Sequence, residues 1–112
     1  MSVVLEFSVF PLDRGVSVSE EVSQVIEMIH NSGVEYQLTA MGTLIETAHL
    51  DDALAIVEKA TQLIHSTGCK RVYAAVKIDS CPTREHGLRG KIRSIQDRLG
   101  DINLNPGIES EQ

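Results

Sequence analysis

The chain has 112 residues, 42% of them hydrophobic, and a formal net charge of −6 at pH 7. That length argues for one domain that buries roughly two-thirds of its unfolded surface without disulfide staples. No apolar run approaches the roughly 20 residues of a membrane span, and an acidic body matches nucleic-acid phosphates poorly, so neither a membrane nor a nucleic acid is expected as partner.

The opening "MSVVLEFSVF" reads as a strand over 3–10, not as a signal peptide, because it lacks a basic stretch and carries Glu6 inside its apolar run. Val3, Leu5, Phe7 and Val9 fall on one face and Val4, Glu6, Ser8 and Phe10 on the other. After the loop "PLDRG", the spacing of Val18, Val22, Val25, Ile26 and Ile29 predicts an amphipathic helix over 18–31. Ser17 with Glu20 three residues on reads as a capping box at its start. Gly33 suits the left-handed residue at its end. A second strand follows over 34–39, with Val34, Tyr36 and Leu38 inward and Glu35, Gln37 and Thr39 outward.

The third strand, 43–48, holds a carboxylate at Glu46. Burying it beneath helices would cost several kcal/mol unless it were paired. Glu46 and Leu44 are therefore expected on the open face, with Ile45 inward. The next helix, over 52–67, places Ala53, Ile56, Val57, Ala60, Leu63 and Ile64 on one side, with Asp51 as N-cap and Gly68 beyond its end. A fourth strand over 71–79 turns Val72, Ala74, Val76 and Ile78 inward, leaving Arg71, Tyr73, Ala75, Lys77 and Asp79 on the open face.

"MIHNSGVEYQLTA" from Met28 and "LIHSTGCKRVYAA" from Leu63 share one layout, 35 residues apart. His30 and His65 fall in the last helical turns, where a cation suits the dipole; a metal-ligand pair is the sharper alternative. Two such βαβ units predict an α+β, ferredoxin-like βαββαβ sandwich over 1–81, with one antiparallel four-stranded sheet, strand order 4-1-3-2 and both helices on one face. Beyond Pro82, Leu88, Ile92, Ile95 and Leu99 mark a C-terminal helix within 82–104. Gly87 and Gly90 weaken it by about 1 kcal/mol each relative to alanine. That helix needs a partner surface, expected in an oligomer, and 105–112 reads as a flexible tail.

Charge is unevenly spread. Residues 84–98 carry net +3 and the remainder net −9, so the basic segment is expected to dock on the acidic body of its own assembly. Cys69 and Cys81 are too few and too far apart for a disulfide scaffold or a redox motif. They read as free, dispensable thiols of a cytoplasmic protein. Cys81 near Arg84 and His86 is the one setting that could activate a thiol.

The open face then gathers Glu6, Ser8, Gln37, Thr39, Glu46, Tyr73 and Lys77, with apolar Val4, Leu44 and Phe10 around them. In this strand order Glu6 is expected beside both Lys77 and Glu46. Such a face is too apolar to be left wholly in water. It serves either as a subunit interface with ion pairs such as Glu6–Lys77 or as a pocket for a small ligand closed by a second subunit.

Three stretches, "FSVFPLDRG", "MGTLIE" and "RVYAAVKID", resemble the small thiamine-binding-protein family that includes the YkoF-like proteins. The likeness spans residues 3 to 80. Its hairpin element falls on Met41, Gly42, Thr43, Ile45 and Glu46, and its last-strand element on Lys77, Ile78 and Asp79. The opening departs in placing Asp13 and Arg14 before its glycine, Gly15. The resemblance implies a ferredoxin-like fold, binding of thiamine or its hydroxymethylpyrimidine part without catalysis, and assembly as a dimer of dimers. Glu46, Glu6 and Tyr73 are suitable types for an aminopyrimidine edge and a cationic thiazolium, with Thr43, Ser8, Thr39 and Lys77 as neighbours.

The leading expectation is therefore a non-catalytic binder of thiamine or a related pyrimidine, active as a homo-oligomer, a tetramer. The alternative is a regulatory or structural module that takes another metabolite or a protein on its sheet. An enzyme is disfavoured, since no GxSxG, HExxH, P-loop or spaced Cys/His set occurs. "HLDDA" at His49 offers a His and two carboxylates, but Asp51 is accounted for as a cap. No metal or cofactor is expected.

Overall fold

The structure, a computed structural model, describes residues 1–13, 15 and 19–104. The element order is β1 (Ser2–Pro11), α1 (Ser19–Ser32), β2 (Glu35–Leu38), β3 (Thr43–Thr47), α2 (Leu50–Ser66), β4 (Val72–Cys81) and α3 (Gly87–Leu99). The four strands form one antiparallel sheet in the order β2-β3-β1-β4. This is the α+β, ferredoxin-like arrangement that the two βαβ units predicted, with a third helix after it.

Strand alternation decides the layers. Leu5 pairs with Ile45 on one side and Ile78 on the other, so the three share the helix-covered face. Val3, Leu5, Phe7 and Ile45 are fully or almost fully buried, against Val25 and Ile29 of α1 and Ala53, Ala60 and Ile64 of α2. The small Ala53 and Ala60 let α2 approach the sheet closely. Ile45 points inward and Leu44 and Glu46 outward, as the cost of burying a carboxylate required.

β4 is less covered than its pattern suggested. Ala74, Val76 and Ile78 lie on the helix side, yet Val76 is 39% and Ile78 46% exposed. α2 touches β1, β3 and β4, and Val72 is the β4 residue that packs against the core. β4 is thus a ten-residue edge strand with apolar side chains left in solvent.

The helix ends follow two rules and break one. Gly33 (φ 81°) and Gly68 (φ 95°) both take the left-handed conformation after their helices. Each preceding histidine ties the helix to the chain beyond it: His30 Nδ1 lies 2.8 Å from the Tyr36 hydroxyl, and His65 Nδ1 2.9 Å from the Cys69 carbonyl oxygen. The expected Asp51 cap is not the cap. α2 begins at Leu50 with His49 before it, because the Thr47 hydroxyl donates to the His49 carbonyl (2.7 Å) and turns the chain into the helix earlier. Asp51 sits inside the first turn, accepting from the Asp52 N–H at 3.0 Å, where its charge still favours the dipole. The Ser17–Glu20 capping box, Val18, Arg14 and the tail 105–112 fall on or depend on residues outside those described.

Cys69 is buried, with its thiol 2.7 Å from Asp13 Oδ1 and 3.2 Å from the Arg71 carbonyl oxygen. Cys81 lies on the sheet edge, 3.6 Å from the Thr83 hydroxyl. The Thr83 hydroxyl and N–H, with Arg84 nearby, lower its thiol below the ordinary cysteine value.

Candidate functional site

The face of the sheet turned away from α1 and α2 carries Ser2, Val4, Glu6, Ser8 and Phe10 of β1. Leu44 and Glu46 of β3, Glu35 and Gln37 of β2, and Tyr73, Ala75, Lys77 and Asp79 of β4 complete it. Six of the residues singled out from sequence therefore share one surface: Glu6, Ser8, Gln37, Glu46, Tyr73 and Lys77. Two do not join them. Thr43 lies opposite Phe7 on the helix side and is buried. Thr39 closes the β2–β3 turn: its hydroxyl donates to the Gly42 carbonyl (2.7 Å) and accepts from the N–H groups of Met41 and Gly42.

The register also separates the two carboxylates expected to be neighbours. Glu6 stands between Lys77 and Leu44, while Glu46 stands between Val4 and Glu35. Glu6 is held loosely: Lys77 Nζ is 3.9 Å away and the lysine side chain is 87% exposed. Such a solvated pair is worth roughly 0–1 kcal/mol, so the Glu6 carboxylate can change partners at little cost. Tyr73 stacks at a tilt on Phe10, ring centroids 5.5 Å apart, towards the far end of the face.

Glu46 is held tightly, by the start of α3. Its Oε1 accepts from the Leu88 N–H (2.9 Å), and its Oε2 from the Gly87 N–H (3.0 Å) and the Ser2 hydroxyl (2.8 Å). Burial under α3 pushes this carboxyl upward. The Leu88 N–H, the Ser2 hydroxyl, the Gly87 N–H and nearby His86 together outweigh that and hold it below the ordinary carboxylate value. α3 has no serine, threonine, aspartate or asparagine at its N-cap; His86 stands there in the left-handed conformation (φ 52°) with no side-chain cap bond. The orphan N–H groups of the first turn are satisfied by a carboxylate from a distant strand.

Around this cap the sheet and the chain beyond β4 are laced together. Arg84 donates to Asp79 Oδ2 (2.8 Å), to the Ser2 carbonyl (3.2 Å) and to the Ser2 hydroxyl (3.3 Å), and its pairing with Asp79 raises its pKa further. Arg89 donates to Glu35 Oε2 at 3.1 Å, which offsets the repulsion between the facing carboxylates of Glu35 and Glu46. Leu88 is the buried α3 side chain. The first turn of α3 thus docks on the open face of its own chain, where the sequence had suggested a surface in another subunit. Its far half, with Ile95 42% and Leu99 72% exposed, does not.

Ser2, Gly87 and Leu88 had no place in the sequence-based site. One signal was available: a helix start "REHGL" with no local capping side chain must find acceptors elsewhere. At Gly87 the fit is tight, since a Cβ there would stand 2.5 Å from Arg84 Nε and 2.8 Å from the Ser2 hydroxyl. Gly87→Ala should push Arg84 off Asp79 and weaken the seating of α3 by about 1–2 kcal/mol. Hydrogen exchange of the α3 amides checks this, and unchanged protection would show that the methyl is accommodated.

Between the docked helix and the sheet lies a cleft of about 900 Å³. Val4, Leu44, Leu88 and Ile92 give it apolar walls, and Glu6, Gln37, Lys77 and Lys91 bring polar groups to it. Ser8 and Tyr73 lie on the same face beyond it. Apolar walls with a few convergent polar groups are what a small organic ligand needs. No group of three or more metal-ligating side chains occurs among the described residues, and none of their helices is long and apolar enough to cross a membrane.

A UPF0045 protein of Methanothermobacter thermautotrophicus is 32% identical over 98 residues, covering 87% of this chain and 99% of its own. The crystal structure of a hypothetical protein from Methanocaldococcus jannaschii superposes with a TM-score of 0.75 at 31% identity, covering 86% of this chain and 97% of that one. A Thermotoga maritima protein given a provisional thiamine biosynthesis or salvage role shares the fold, with a TM-score of 0.71 at 17% identity over 84% of this chain and 99% of its own. Residues 5–96 match the family described as thiamine-binding protein. The chain belongs to the thiamine-binding protein family.

Proposed function

We propose that this protein binds thiamine, or its hydroxymethylpyrimidine part, without catalysis, in the cleft between the open sheet face and α3. The observation that carries this reading is a loosely held carboxylate, Glu6, in one row with Leu44 and the Gln37 amide, in a cleft with apolar walls of a chain from this family. An aminopyrimidine presents an amino donor and ring acceptors along one edge. A carboxylate takes the donor, and an amide can serve both roles. The positive thiazolium is also favoured by a nearby carboxylate. Lys77 moves aside into solvent as the ligand arrives. Ser8 and Tyr73 are within the reach of a ligand that extends along the face. Glu46 acts by holding α3, the far wall, in place.

The binder is a cytoplasmic homo-oligomer, a tetramer. The supports are the long β4 edge with Tyr73, Val76 and Ile78 exposed on it and the uncovered far half of α3. An apolar edge strand invites pairing with another chain, and a second copy offers the same edge in antiparallel. Light scattering at micromolar concentration should give a multiple of 12.3 kDa; a clean monomer mass would reject the assembly. The same edge would suit a structural or regulatory module with a different protein partner, the alternative reading.

Thermal shift separates the two. A binder gains RT ln(1 + [L]/Kd), about 2.7 kcal/mol at a hundredfold excess over Kd. Thiamine and hydroxymethylpyrimidine should each be tried across the micromolar to millimolar range. Stabilisation by either supports the proposal, and none by both rejects it.

A further inference from the structure

α3 holds two glycines, and only one is explained by the packing of the chain. Gly87 has no room for a Cβ, because Arg84 and the buried Ser2 stand against it. Gly90 is different. It lies within the helix, its N–H donating to the His86 carbonyl at 2.7 Å, and it needs no positive φ. A Cβ built there meets no heavy atom of the described residues within 4 Å. Alanine would fit and would favour the helix, since glycine gives up more backbone freedom on folding than any other residue. Yet the position is bare, and Gly90 lines the cleft.

We infer that Gly90 is where the ligand of the cleft meets α3: its missing side chain lets the flat face of a heteroaromatic ring rest on the helix backbone. This deepens the proposed function and rests on it. The opposite wall is Val4 and Leu44 of the sheet, apolar and suited to the other face of the ring. Glu6 and Gln37, on the same sheet surface, are then left to address the ring edge. A ring gains dispersion only at van der Waals contact, about 3.5–4.0 Å between carbons, so a single methyl on the helix wall displaces it. Gly90 is therefore a specificity determinant: it admits a planar group into a slot that any other residue would narrow.

The test is Gly90→Ala, with calorimetric titration of thiamine and of hydroxymethylpyrimidine into parent and variant beside their melting curves. The expected result is a melting temperature that holds or rises by about 2–6 °C, together with an affinity at least about tenfold weaker. Stability and affinity moving apart is the signature of a glycine kept for a ligand. Equal affinity in parent and variant overturns the inference and leaves the proposed function standing. A fall in both stability and affinity also overturns it, because Gly90 would then serve the fold. A change in the light-scattering mass of the variant overturns it in favour of a second copy seated over Gly90. If neither compound binds the parent, the proposed function falls and this inference falls with it.

Discussion

Replacing Glu46 with alanine should release α3 from the sheet while leaving the βαββαβ body folded. The carboxylate accepts three hydrogen bonds, from the N–H groups of Gly87 and Leu88 and from the Ser2 hydroxyl. Ser2 is fully buried, so its hydroxyl loses a partner that water cannot easily replace. Hydrogen bonds to a charged group are worth about 1.5–3 kcal/mol each and are not additive within one cluster. A loss of about 2–3 kcal/mol in α3 docking is expected, seen as roughly two orders of magnitude faster amide exchange in α3 alone. Glu46→Gln should fall between parent and alanine. It keeps one acceptor but brings an NH₂ group to a site whose backbone partners are both donors. Ligand binding should weaken in both variants, because the far wall of the cleft moves. Unchanged α3 exchange in Glu46→Ala would show that Leu88 and Arg89 hold the helix without the cap.

The same cap makes α3 sensitive to acid. The folded carboxyl titrates below its unfolded value, about 4.3 for glutamate, since its hydrogen bonds and His86 outweigh burial. A group whose pKa is depressed on folding contributes stability above the unfolded value and loses it as pH falls through the folded one. α3 should therefore remain docked at neutral pH and loosen as the pH falls below about 4.3. The amide resonances of Gly87 and Leu88 report this directly, and the step should vanish in Glu46→Gln, which has nothing to protonate there. An identical acid transition in both proteins would assign it to other carboxylates.

The second large effect is expected at Glu6. Glu6→Ala should cost about 1.5–3 kcal/mol of thiamine affinity, the usual worth of a hydrogen bond to a charged group, which is roughly ten- to a hundredfold in Kd. The fold should hardly notice, because the side chain is 37% exposed and its lysine partner is 3.9 Å away in solvent. Lys77→Ala serves as the counterpart. It removes a competitor for the carboxylate, so affinity for a cationic ligand should hold or rise. Titration calorimetry on the three proteins decides, and wild-type affinity in Glu6→Ala would remove Glu6 from the site.

Much of this architecture can be read along the chain. Period-two alternation in β1 and β3 assigns Leu5 and Ile45 to the core and Glu6 and Glu46 to the open face, because a carboxylate beneath helices would be left unpaired. Two glycines spaced 35 residues apart end two similar helices, and the repeated βαβ unit then admits this strand order. These features are local or periodic, so each residue's neighbours in sequence suffice to place it. The rest depends on where distant pieces come to lie. Val76 and Ile78 share the pattern of Leu5 and Phe7 yet remain exposed, since β4 packs against the helix-covered core at Val72 and leaves these two in solvent. Thr43 entered the candidate site through the resemblance of its hairpin, although its parity with Ile45, readable along the chain, already placed it on the helix side, where it is buried opposite Phe7. Glu46 could be assigned a face from sequence but not a partner. The N–H groups that it caps are 41 and 42 residues away, and no pattern along the chain specifies which helix end will arrive over a strand. Only the packing of α3 across β1 and β3 brings them together, because a helix start without its own cap is stable only where the folded sheet presents an acceptor.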